Sequence, residues 1–284
     1  MVQRVWKLLD ILEETSRFFA ARGLENARLQ AELLLAAVLE IKRLDLYLQF
    51  ERPLHTEEVD AYRDYVRQRV QRVPVQYILG ATAFRELELT VTPAVLIPRP
   101  ETEVLVDVAL ELLPTGGRAL DLCCGSGAIA LSLKRELAEV AVVATDISQA
   151  ALAVARANGA SCELEIEWLS GDLFAAVEGD FDLVVSNPPY VKSGDLDRLE
   201  PEVRDHEPRL ALDGGADGLD CYRRIAHQAS DHIRPGGYLL LEVGDGQSAE
   251  VEKLLAEVGR FAEVQTKPDL NEVPRVVVAR ASST

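Results

Sequence analysis

From Pro100 onward the chain alternates helical patterns with short apolar runs, and no other feature limits its fold as strongly. The periodicities predict helix 101–112, strand 118–123, helix 127–137, strand 140–145, helix 148–158 and strands 163–169 and 181–186. A long loop follows, then helix 219–233, strand 238–243, helix 248–258 and closing strands 261–266 and 275–280. Strands separated by helices cannot pair as tight hairpins, so they line up in parallel with the helices packed on both faces. The expected architecture is α/β, a mostly parallel doubly wound sheet.

Residues 1–73 read differently, as helix throughout. One pattern runs to about Ala21, a second covers about Glu25 to Ile41, and a short segment spans Leu44 to Phe50. A last helix starts at Thr56, a candidate cap, and ends near Arg72 before Pro74. Its Arg63, Arg67, Arg69 and Arg72 form a basic cluster, either a solvated face or a docking surface for an acidic or nucleic-acid-bearing partner. Glu86 to Thr92 alternates with period two and predicts a small hairpin with the residues before it. Three parts are therefore expected: a helical domain 1–73, a linker with a β-hairpin 74–98, and a ligand-binding domain 99–284.

The net charge of −17 is uneven. Residues 1–80 carry 12 Lys+Arg against 12 Asp+Glu, whereas residues 81–284 carry 18 against 35. Such an acidic surface repels a phosphate backbone, so no direct nucleic-acid substrate is expected. No segment approaches a membrane span in length, and Met1 to Lys7 leads into a charged helical pattern without the apolar core of a signal peptide. Cytoplasmic residence and no membrane partner are the expectations. The four cysteines, Cys123, Cys124, Cys162 and Cys221, make no Cys-x-x-Cys pair, and the histidines lack ligand spacing, so no metal is expected.

Two motifs carry chemistry. Asn187-Pro188-Pro189-Tyr190 follows the apolar run Phe181 to Ser186. It presents an amide, a rigid carbonyl and an aromatic ring at a strand's C-terminal end, where open α/β sheets bind ligands. That set suits gripping a flat, weakly nucleophilic nitrogen group, a carboxamide or an exocyclic amine. Upstream, Arg118 to Leu122 leads into Cys123-Cys124-Gly125-Ser126-Gly127, a turn where a ligand can approach the backbone closely. Asp146 ends the next strand and can accept from ribose hydroxyls, and Asp172, before Leu173, can accept from an adenine amine. Ala130 stands where a nicotinamide fingerprint would have its third Gly, and no Gly-Lys-Ser/Thr is present, so a nucleoside cofactor without a pyrophosphate grip fits best.

On these residues the chain resembles the class I S-adenosylmethionine-dependent methyltransferases, whose sheet is Rossmann-like. Asp121 to Gly127 matches their first motif, Asp146 the second, Asp172 the third and Asn187 to Tyr190 the fourth. Ile97-Pro98-Arg99-Pro100-Glu101-Thr102-Glu103 and the stretch His206-Glu207-Pro208 to Leu219 narrow this. They are similar to the peptide chain release factor glutamine methyltransferases, the PrmC/HemK family. The similarity is close from about Pro74 onward and looser in the helical region. The family usually has Gly at position 123 and a small hydroxyl residue at 124. With cysteines there, the turn is expected to use ordinary dihedrals.

The resemblance implies S-adenosyl-L-methionine as cofactor, with S-adenosyl-L-homocysteine as product. It implies cofactor contacts from Asp121, Cys123, Cys124, Gly125, Ser126, Gly127, Asp146, Asp172, Leu173 and Asn187. It further suggests that Arg99, Glu101 and Glu103 cover the cofactor. The expected reaction is methyl transfer to the side-chain N(5) of the glutamine in the Gly-Gly-Gln loop of release factors, with the 1–73 domain holding that protein partner. Asn187, Pro188 and Tyr190 are the expected catalytic residues, and Pro189 joins them in binding substrate. Asn-Pro-Pro-Tyr also serves adenine or guanine amines, so a nucleic-acid amine methyltransferase is the alternative reading.

Overall fold

Leu8, Ile11, Leu12, Thr15 and Phe19 recur at helical spacing, and helix α1 (Leu8–Ala20) buries all five. The same logic builds α2 (Ala27–Val38), a 3-10 turn over Arg43–Leu48, α3 (Thr56–Val70) and α4 (Val75–Leu79). The computed structural model describes residues 5–283, so the expectation for Met1-Val2-Gln3-Arg4 lies outside the described residues. These helices share a core that includes Leu12, Phe19, Leu34, Leu35 and Tyr62. Buried Glu32 accepts from Arg28 at 2.7 Å, Arg43 at 2.8 Å and Tyr47 Oη at 2.6 Å, which fastens the 3-10 turn to α2. The start of α3 departs from expectation. His55 is the capping residue, and its backbone N–H donates to Glu58 Oε2 at 2.8 Å, while Thr56 is already helical.

Two units partition the chain: residues 1–80 with 201–206, and residues 81–200 with 207–284. The second begins with an antiparallel hairpin, β1 (Ala81–Phe84) and β2 (Leu87–Thr90). Then come α5 (Thr102–Leu112), β3 (Arg118–Leu122), α6 (Ala128–Glu136), β4 (Ala141–Asp146), α7 (Gln149–Ser161), β5 (Glu167–Ser170) and β6 (Phe181–Ser186). The long loop after β6 holds α8 (Pro201–His206), which belongs to the first unit. It is followed by α9 (Asp220–Ala229), β7 (Ile233–Glu242), α10 (Ser248–Val258), β8 (Phe261–Pro268) and β9 (Pro274–Ala281).

Within the first unit the basic cluster is neutralised. Arg63 and Arg67 pair with Asp60 and Asp64, and Arg69 and Arg72 meet Glu202 of α8 at 2.7 and 3.2 Å. Arg69 is only 4% exposed and also donates to Gln30. Its charge is satisfied internally.

The sheet order is β5-β4-β3-β6-β7-β9-β8, parallel through β7 and antiparallel in the last two strands. Its faces are covered on both sides, as a parallel sheet requires. Ala119, Leu183 and Leu240 join residues of α5, α6 and α7, whereas Leu120, Val184 and Leu239 join residues of α9 and α10. The chain enters the sheet at β3, moves outward to β5, then crosses back to β6 beside β3. That reversal opens a crevice at the C-terminal ends of β3, β4 and β6, and both motifs sit there.

Candidate active site

The turn after β3 is built on strained backbone. Cys123 has φ 59°, contrary to the ordinary dihedrals expected of it. The chain must leave the strand within one residue so that Cys124 N–H reaches Thr145 O at 3.0 Å. A left-handed residue at that point costs roughly 1–2 kcal/mol. Burial pushes both thiols up, so they are neutral wall atoms. Gly127 has φ 82°, and a Cβ there would stand 2.7 Å from the Trp168 ring.

Asp146 ends β4 and braces the turn. Its Oδ2 accepts from Gly125 N at 2.9 Å and its Oδ1 from Ser148 N at 2.8 Å, while burial raises its pKa. Each oxygen keeps a second lone pair for a ligand. Asp121 lies within β3 and is fully buried. Its Oδ2 accepts from Ala130 N at 3.1 Å, whereas Oδ1 has no partner among the described residues. Burial, then the backbone bond's smaller opposing effect and the charge of Asp146, leave its pKa at about 8. Asp172 pairs with Arg224 at 2.7 Å, and Leu173 O accepts from Thr145 Oγ1 at 3.3 Å. One organiser escaped the sequence reading. Buried Asn158 accepts from Thr90 N at 2.8 Å and donates to Thr90 O and Ser126 O, tying the hairpin to the turn. Its polar side chain inside a helix of apolar spacing was the available signal.

Asn187 follows β6, and its Nδ2 donates to Thr102 Oγ1 at 3.2 Å at the start of α5. Tyr190 is held from behind, where Gln247 Nε2 donates to its carbonyl at 3.0 Å. A Cβ on Gly244 would lie 2.9 Å from the Tyr190 ring. Val191 bridges Asp213, so the loop leaving the motif runs beside the Gly214-Gly215 segment. Arg99 makes two bonds to buried Glu207, at 2.7 and 2.8 Å, which joins the Ile97–Glu103 stretch to Glu207-Pro208. Glu103 instead accepts from Arg85 N at 3.0 Å, holding the hairpin turn.

One cavity collects much of this. Cys123, Cys124, Gly125, Ser126, Asp146, Asp172, Asn187, Pro189 and Arg99 line it, with Thr102, Ile129, Asp213 and Arg224. Asp121, Gly127, Leu173, Pro188, Glu101 and Glu103 are not among its lining residues, and Tyr190 lines a neighbouring acidic groove with Asp217 and Gln247. The donor set tests the implied cofactor. Both lining arginines are engaged, Arg99 by Glu207 and Arg224 by Asp172, so neither is a spare cation for a phosphate. Asp146 is the lining carboxylate paired with no cation in this set. Apolar walls, close backbone and one uncompensated carboxylate fit a cationic nucleoside. Among the described residues no group of three or more His, Cys, Asp or Glu could hold a metal ion, and no helix is long and apolar enough to cross a membrane.

Known proteins are similar to this chain. The family model described as the PrmC N-terminal domain matches residues 10–80, and the methyltransferase small domain matches residues 100–200. A release factor glutamine methyltransferase of Geobacter sulfurreducens is 44% identical over 278 residues, covering 97% of each chain. One from Chlorobaculum tepidum is 42% identical, covering 96% of this chain and 97% of its own. A solved methyltransferase from Pyrococcus furiosus, 19% identical, superposes with a TM-score of 0.56 over 70% of this chain and 91% of that one, which shows the shared fold. With such identity over nearly the whole length and both family models matched in order, the chain belongs to the release factor glutamine methyltransferases.

Proposed function

We propose that this enzyme transfers a methyl group from S-adenosyl-L-methionine to the side-chain amide nitrogen of a glutamine in a release factor's Gly-Gly-Gln loop. The observation that carries the reading is the Asn187 amide at the cavity wall. Its Nδ2 is committed to Thr102 Oγ1 at 3.2 Å, which leaves Oδ1 as the acceptor for a substrate N–H.

Residues 125, 146 and 172 would hold the cofactor: the Gly125 backbone by close approach, Asp146 by ribose hydroxyls, Asp172 by the adenine amine. When bound, S-adenosylmethionine supplies a methyl group already activated by a sulfonium charge. The chain's own task is then orientation. A carboxamide nitrogen is a weak nucleophile because its lone pair is delocalised into the carbonyl. Asn187 Oδ1 would accept one of its hydrogens and the Pro188 carbonyl the other, fixing the nitrogen's aim and raising its electron density. The prolines at 188 and 189 hold that pair of acceptors stiff, so little entropy is lost on binding. Tyr190 would flank the flat amide. The departing proton needs no strong base and can pass to solvent. The helical unit, close to neutral in charge, would recognise the folded factor. Transfer of labelled methyl to a purified release factor, with its loop glutamine present or replaced, tests the reading, and label that persists after replacement defeats it.

A further inference from the structure

Glu242 ends β7 and is a charged residue inside the sheet, 1% exposed. The register Ser186↔Leu241 brings the next residues of the two strands, Asn187 and Glu242, out side by side. Thr102, the first residue of α5, stands with them. Its Oγ1 accepts from Asn187 Nδ2 at 3.2 Å, and its hydroxyl stands near enough to the Glu242 carboxyl to lower that group's pKa. The Asn187 amide lowers the same pKa, with a smaller effect. Glu242 Oε2 has no partner among the described residues.

A hydroxyl carries one proton and two acceptor sites, and an ionised carboxylate only accepts. When Glu242 is ionised, Thr102 must donate to it and is left to accept from Asn187. The amide then has one orientation, with Nδ2 toward Thr102 and Glu242. A protonated Glu242 can donate to Thr102 instead, which frees the hydroxyl to donate to Asn187 Oδ1 and lets the amide turn over. We propose that Glu242 is a positioning residue, which through Thr102 sets the Asn187 amide with its oxygen toward the substrate. The proposal rests on the glutamine-methylation reading for its consequence in rate, although the relay itself does not need it.

The groups facing Glu242 come from four elements. Arg275 on β9 lowers its pKa and Glu101 before α5 raises it, while its charge raises the pKa of Tyr190, in the loop after β6, and of Tyr222, on α9, whose hydroxyl donates to the Glu242 backbone carbonyl at 2.8 Å. Arg275 is shared with Asp245 and Asp269, at 3.0 and 3.4 Å. Burial, the largest influence, leaves Glu242 at about 7. It therefore changes charge in a range where the enzyme can be assayed.

The test uses the full chain and the variants Glu242→Gln, Thr102→Val, Thr102→Ser and the double variant Thr102→Val with Glu242→Gln. The side-chain NH2 resonance of Asn187, identified by its loss in Asn187→Ala, is followed against pH, and single-turnover methyl transfer to a release factor is measured alongside. In the wild type the resonance should move with the ionisation of Glu242, and the rate should fall on the acid side of the same transition. Glu242→Gln should remove both pH responses. Thr102→Val should lower the rate by up to about 100-fold, Thr102→Ser should restore most of it, and the double variant should lose no more than Thr102→Val. An acid limb unchanged in Glu242→Gln, additive losses, or equal activity in the Val and Ser variants would overturn the proposal. A relay seen by resonance in a wild type that does not methylate glutamine would leave the positioning role standing and remove the substrate reading.

Discussion

Asp121 shows how much of this site is decided by single atoms. Its folded pKa of about 8 lies above the ordinary 3.8 because the carboxyl is fully buried. A raised carboxyl is bound more tightly to its proton in the folded state. That stabilisation is complete below the unfolded value and is lost as pH rises through the folded one. Asp121→Asn cannot ionise, so its melting temperature relative to wild type should climb between about pH 4 and pH 8. Parallel melting curves across that range would contradict the assignment. Gly127 makes a steric argument of the same kind. Gly127→Ala meets both a left-handed backbone, costing about 1–2 kcal/mol, and the Trp168 ring, costing about 1–3 kcal/mol if the turn cannot shift. A urea midpoint unchanged from wild type would show that the turn relaxes freely.

Elements are held by a few polar clasps laid over apolar packing. In the helical unit the clasp is Glu202 of α8 on Arg69 and Arg72 of α3. Glu202→Ala leaves the buried Arg69 guanidinium short of an acceptor, a loss of roughly 1–3 kcal/mol. Hydrogen exchange should quicken along α3 while cofactor affinity holds; unchanged exchange there would mean the clasp is ornamental. The apolar packing was legible in the sequence, because period-two and period-3.6 patterns are local. Strand β6 and helix α10 appear at the limits read from the pattern. The start of β7 was not, since Arg234-Pro235-Gly236-Gly237 carries turn signals yet lies in the strand at a register shift. Short α4 and α8 hold too few residues to display a period. The motifs gave the cavity wall, Cys123 to Ser126, Asp146, Asp172 and Asn187, because each lies at or just beyond a strand end. Asn158 and Glu242 stayed hidden, since their partners come from distant elements and no spacing encodes that meeting. A lone acid after Leu239-Leu240-Leu241 was the trace that Glu242 left.

The whole chain combines a helical unit of balanced charge with an acidic α/β unit. If the helical unit docks the substrate, an intact release factor and a short Gly-Gly-Gln peptide should differ mainly in KM. The maximal rates should stay within a few-fold, because the same amide meets the same groups. Equal KM values would remove the docking role while leaving the chemistry in place. The central claim concerns where the methyl goes. It is tested most directly by a single turnover of labelled S-adenosylmethionine with a release factor, the product mapped by mass spectrometry, for wild type and Asn187→Ala. The account predicts one methyl on the loop glutamine's side-chain nitrogen, and a loss of about a hundred- to a thousandfold in rate for Asn187→Ala, with cofactor binding retained. Methyl on a nucleic-acid amine in place of the glutamine, or full glutamine activity in Asn187→Ala, would contradict it.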